Sequence, residues 1–156
     1  MQGWEPAAAG LYLLWLIPVS IFDIRQRRIP DFLSFSLAGV LALLRLLENS
    51  YSLLLLAAGL LGPVILLLLV RLLMNGGIGT GDLKLAAAGG LLLPGLDWIP
   101  ALAVAALLAL GTAGPWILIR KRSRLTRIPF APYMGVGFLA VHLLILFGAI
   151  PSLTAL

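Results

Sequence analysis

Six carboxylates stand in a chain of 156 residues. Three of them, Asp23, Asp31 and Asp82, sit where apolar runs meet arginine or lysine. A carboxylate beside hydrocarbon is costly, so it is ordinarily paired, used as a cap, or functional. Asp82 closes Gly79-Thr80-Gly81-Asp82 at the end of a glycine-dense loop that runs into Leu83-Lys84-Leu85. Glycines such as Gly79 and Gly81 let a backbone take positive φ and approach another group closely. A carboxylate held at a helix start against a second carboxylate would need that. Asp82 also suits a plain cap on the following helix, and both readings stand. The loop lacks the Gly-Lys-Ser/Thr ending of a phosphate loop.

Asp23 closes an apolar run in Phe22-Asp23-Ile24-Arg25-Gln26-Arg27-Arg28-Ile29-Pro30-Asp31. An acid at a helix C-terminus opposes the macrodipole, so capping does not account for it. A charge pair with the arginines that follow does, and so does chemistry. Asp31 begins the next run after a proline, where an N-cap is the simpler role. Asp23 and Asp82, brought close together, could not both ionise easily and would share a proton. The ionised member of such a pair can take a proton from water while the protonated member polarises a scissile carbonyl. Coupled titration leaves the two roles unassigned.

The elements that would position these acids are membrane helices. The chain is 62% hydrophobic and 11% charged, with a mean hydropathy of +1.11, whereas soluble domains run at about 45–50% apolar and about 25% charged. Runs bounded by Pro, Gly and charge predict six spans near residues 7–22, 31–47, 52–73, 83–96, 98–119 and 130–150. The fourth is short and ends at Pro94-Gly95, so a tilted, shielded or partial span is expected there. The expectation is an all-α, polytopic integral membrane protein forming one domain over residues 1–156, with no room for a soluble domain beside it. The first run lacks a preceding basic residue and reads as a retained helix rather than a cleaved signal. With no Cys, disulfides, thiolate metal sites and cysteine nucleophiles are excluded.

The formal charge of +5 reads as an orientation signal rather than as nucleic-acid binding. Arg25, Arg27, Arg28, Arg71, Lys84, Arg120, Lys121, Arg122, Arg124 and Arg127 all fall on one side of six alternating helices. That side is expected to be cytoplasmic and both termini to be non-cytoplasmic, with Arg45 the lone basic residue near the outer face. Trp4, Tyr51 and Trp98 are expected at the outer boundary and Trp116 and Tyr133 at the inner one. Glu5, Glu48 and Asp97 fall on the outer side, where solvation accounts for them.

Three segments together resemble the type IV prepilin peptidases, membrane aspartyl proteases of the Gly-x-Gly-Asp class. Residues Phe22 to Asp31 resemble that family's first aspartate loop, and Gly79-Thr80-Gly81-Asp82-Leu83-Lys84-Leu85 its second. Ile128-Pro129-Phe130-Ala131-Pro132-Tyr133 resembles its entry to the last helix. The resemblance implies that Asp23 and Asp82 are catalytic and that Asp31 is not. It implies cleavage of a short basic leader, after a Gly, at the cytoplasmic face of the membrane. The partners would be a prepilin or pseudopilin leader and the lipid bilayer, with no nucleic acid and no metal or organic cofactor. The chain departs from the family's long form, which has paired cysteines before the first helix and N-methyltransferase activity. Methylation is therefore expected to be absent, as in the compact form that resembles the Flp/Tad-type and archaeal enzymes.

Other residues carry plainer readings. Lys84 is two positions from Asp82, too close in a helix to face it, so snorkelling to the interface competes with a contact to substrate or dyad. His142 reads as a packed residue and 120–127 as a topology anchor able to hold anionic lipid. Ala86-Ala87-Ala88-Gly89-Gly90 and Gly59-Leu60-Leu61-Gly62 read as close helix packing. The rival from another class is a small multispanning transporter or a pilus or secretion assembly subunit, in which the same acids hold a cation or pair with arginine. Nothing in the sequence fixes an oligomeric state.

Overall fold

A computed structural model describes residues 4–26, 30–48, 51–73, 78–119 and 130–155. Among them are six α-helices and no strand: α1 Glu5–Gln26, α2 Asp31–Glu48, α3 Leu53–Leu73, α4 Thr80–Leu92, α5 Trp98–Ile119 and α6 Ala131–Leu146, followed by a 3-10 turn at Leu153–Ala155. The expected all-α class is observed. Two helices, α1 and α3, are long and apolar enough to cross a membrane, and Trp98–Thr112 and Ala131–Leu146 are shorter apolar helices.

The fourth helix differs most from the expected 83–96. It begins at Thr80, which brings Asp82 into its first turn, and it ends at Leu92. Pro94 and the positive φ of Gly95 (72°) follow, and neither continues a helix. At 13 residues α4 is about 20 Å long, well short of a hydrocarbon core of about 30 Å. It is nonetheless the hub of the bundle, packing on α2, α3 and α6 and touching α1. Leu85, Ala86, Ala88, Gly89, Gly90, Leu91 and Leu92 are all buried, so α4 is covered on several sides. Its small residues set how close the neighbours come. A Cβ on Gly90 would fall within the Gly59 carbonyl oxygen of α3 and only 2.7 Å from that carbonyl's carbon, while one on Gly89 would lie 2.7 Å from the Phe138 ring of α6. The close packing read from these glycines is what the structure shows.

The end of α4 opposite Asp82 holds a polar cluster that corrects one sequence reading. Glu5 was expected to be solvated. It is instead half-buried against Arg45, which is 2% exposed. Its guanidinium donates to both Glu5 oxygens at 2.7 and 3.1 Å and to the carbonyls of Leu91 (3.2 Å) and Leu92 (2.8 Å). The physical reason is the early stop of α4. Terminal carbonyls without a helical partner need donors, and a buried cation needs a counter-charge. The Tyr51 hydroxyl donates to Glu5 at 3.2 Å, and the Tyr51 ring lies 5.1 Å from the guanidinium. His142 Nε2 is 3.3 Å from the Glu5 carbonyl oxygen, in keeping with its packed reading.

Asp97 is a further correction. It is buried and accepts from the Ser152 hydroxyl and the Leu153 amide, both at 2.6 Å, which ties the 3-10 turn to the start of α5. Trp98, expected at a membrane boundary, is buried against Gly62 of α3. The side chain of Glu48, and residues 120–127 with their basic cluster, lie outside the described residues.

Candidate active site

The C-terminus of α1 and the N-termini of α2, α4 and α6 supply the polar groups of one end of the bundle. From α1 comes Asp23, which is 8% exposed. Its Oδ2 accepts the amide of Ala131, the first residue of α6, at 3.1 Å. A first-turn amide has no helical acceptor, so the Asp23 carboxylate supplies one at the end where helix polarity favours an anion. The competing sequence reading paired Asp23 with the arginines that follow it. Arg27 and Arg28 lie outside the described residues, and Arg25 is exposed.

From α4 comes Asp82, whose Oδ2 accepts the Gly79 amide at 3.2 Å. The carboxylate therefore does cap its own helix, as the simpler reading held. Gly79 is extended, with φ −71° and ψ 151°, and the positive-φ glycines among the described residues are Gly95 and Gly148. The loop glycine thus serves space rather than left-handed backbone, since a Cβ on Gly79 would sit 3.3 Å from the Asp82 carboxylate. Gly81 is the second residue of α4.

Capping does not exhaust what Asp82 experiences. Burial, and after it the charge of Asp23, push its carboxyl up to about 6, with the Gly79 amide pulling the other way. Asp23, 59 residues earlier in the sequence, thus bears on Asp82 at one end of the bundle, and two neighbouring carboxyls that cannot both ionise easily can share a proton. Lys84 is placed elsewhere. Its Nζ pairs with Asp31 Oδ1 at 2.5 Å and lies 5.3 Å from the Phe35 ring centroid, tying α4 to the start of α2. Sequence reasoning missed that pair. The available signal was that Lys84 cannot face Asp82, which left Asp23 and Asp31 as the acids on its side. It also missed the Ala131 amide, because a main-chain donor leaves no mark in side-chain types.

With that geometry in place, comparison with known proteins is informative. A model described as the type IV leader peptidase family matches residues 10–114. The chain belongs to that family. The matched stretch contains Asp23, Gly79, Gly81, Asp82 and Lys84. The chain is also 29% identical, over 141 residues, to a prepilin leader peptidase/N-methyltransferase of Xanthomonas campestris pv. campestris, covering 86% of this chain and 49% of that one. It thus spans about half the length of this leader peptidase relative. No solved structure matches it significantly.

Proposed function

We propose that this leader peptidase family member is a membrane-embedded aspartyl endopeptidase that removes the short basic leader of a type IV prepilin or pseudopilin, with Asp23 and Asp82 as its catalytic pair. The observation that carries the reading is that the fold brings buried Asp23 of α1 and half-buried Asp82 of α4 to one end of a helical bundle, where the charge of Asp23 reaches Asp82. In hydrolysis one carboxylate accepts a proton from water as the water oxygen bonds to the scissile carbonyl carbon. The protonated partner gives its proton to the carbonyl oxygen. Collapse of the resulting diol breaks the C–N bond, the first acid protonates the leaving amine, and a diol proton returns to the second. Both carboxyls end as they began, and general acid–base assistance of this kind is worth about 10²–10⁴-fold.

The spans and the positive-inside pattern support a cytoplasmic-membrane, multi-pass topology, with the aspartate end facing the cytoplasm and both termini on the other side. Short α4 fits this arrangement, since its N-terminal turn can lie at the cytoplasmic boundary while Arg45 satisfies its buried end. The test is cleavage of a synthetic prepilin peptide with a Lys/Arg-rich leader ending in Gly, by the full chain in detergent. Asp23→Asn and Asp82→Asn should each lower the rate at least about a hundredfold while leaving insertion unchanged. Full processing by both variants would remove the dyad, and inertness of the wild type toward every prepilin would favour the transporter or assembly reading.

A further inference from the structure

We infer that Asp31 is a leader-binding residue: its exposed carboxylate, held beside the proposed pair by Lys84, receives a basic side chain of the substrate's leader. This rests on the function proposed above and adds which residue reads the leader's charge.

The chain's six acids leave one candidate. Glu5 is engaged with Arg45, and Asp97 with Ser152 and Leu153, away from the proposed pair. Glu48 closes α2 at its far end. Asp23 is buried and Asp82 half-buried, and both are taken up by the proposed chemistry. Asp31 remains, with a side chain that is 68% exposed. Cations gather at the same end, with Arg25 in the last turn of α1, Arg71 in the last turn of α3 and Lys84 near the start of α4. Like charges brought together across an interface are costly, so a basic leader needs an anion there at close range.

Asp31 is within reach of the scissile bond. Lys84 leaves α4 two residues beyond Asp82, and its Nζ meets Asp31 Oδ1. The Asp31 carboxylate therefore stands roughly one lysine side chain from the first turn of α4. An extended leader advances about 3.3–3.6 Å per residue, so a residue only a few positions before the cut covers that span. Lys84 does not bar the way. A carboxylate has two oxygens and about four lone-pair sites, so Oδ2 can accept a leader cation while Lys84 keeps Oδ1. The Lys84 ammonium also lies 5.3 Å from the centroid of the Phe35 ring, a cation–π seat that holds it if the leader takes Oδ1 as well.

The test is cleavage of two prepilin peptides by the full chain in detergent, one with Lys at the basic leader positions and one with Gln in their place. The readout is the ratio of kcat/KM for the basic over the neutral peptide, resolved into KM and kcat. The double variant Asp31→Asn with Lys84→Met removes the carboxylate without leaving a lysine to repel the leader. Its ratio should fall about two- to fivefold, the worth of a partly exposed ion pair, and through KM, as loss of a binding contact requires. Peptides with one Lys at a time should place that loss at one or two adjacent leader positions. Lys84→Met alone should keep the ratio or raise it, because the competing cation is gone. The inference is overturned by an unmoved ratio, by both peptides slowing by the same factor, by a loss shared equally among all leader positions, or by Lys84→Met losing as much as the double variant. A wild type that cleaves both peptides equally well also overturns it and leaves the peptidase reading standing. A wild type that cleaves neither overturns that reading instead.

Discussion

Replacing Gly90 with alanine tests the central helix contact. The new Cβ would fall inside the Gly59 carbonyl oxygen, 2.7 Å from the Gly59 carbonyl carbon and 2.9 Å from Pro63 Cγ. The obstructing atoms are main chain and a proline ring, so no side-chain rotation relieves them. Restoring ordinary van der Waals contact requires α3 and α4 to part by roughly 1 Å, and overpacking of this kind costs about 1–3 kcal/mol. The upper end applies because both partners are backbone, and in a chain of this size it lowers the melting temperature by about 6–12 °C. Under the proposed function the displacement also reaches chemistry, since Asp82 rides on α4 and Asp23 on α1. A 1 Å error in placing reacting groups costs on the order of 10²-fold in rate. Thermal unfolding in detergent, paired with the peptide cleavage assay, measures both effects. Gly39→Ala on α2 is the internal control, because a Cβ there meets nothing within 4 Å. It should leave stability unchanged or raise it by up to about 1 kcal/mol through helix propensity. If Gly90→Ala and Gly39→Ala melt together and cleave alike, the close α3–α4 approach does not hold the site.

Arg45→Met should destabilise the fold by about 3–5 kcal/mol, because it removes the counter-charge of half-buried Glu5 and frees the Leu91 and Leu92 carbonyls; a loss under about 1 kcal/mol in thermal or denaturant unfolding would contradict the cluster. The half-exposed Asp31–Lys84 pair should be worth about 0.2–1 kcal/mol in a double-mutant cycle of Asp31→Asn and Lys84→Met, and a coupling energy of zero would show that the pair does not tie α4 to α2. Folded Asp82 titrates near 6 against an ordinary 3.8, so the folded state holds its proton more tightly than the unfolded state. The resulting stability is present below 3.8 and is lost as pH rises through about 6. Melting curves from pH 4 to 7 should therefore fall with pH in the wild type and fall less in Asp82→Asn; identical slopes would rule the titration out.

Hydropathy determined the helical class and most helix limits by itself, and local motif singled out the two aspartates proposed as the catalytic pair. These signals are local: an apolar run fixes a helix wherever it packs, and a carboxylate beside hydrocarbon stands out without knowledge of its neighbours. The tertiary structure decided what each polar group meets. Arg45, Glu5 and Asp97 were read as boundary or solvated charges because charge signs in a sequence do not reveal that α4 stops early and leaves carbonyls to be satisfied. Lys84 found Asp31 only once α2 and α4 were side by side. The hydrogen bond to Asp23 comes from a main-chain amide 108 residues away. Every residue but proline carries such an amide, so only the packing of α6 against α1 could select Ala131 as the donor.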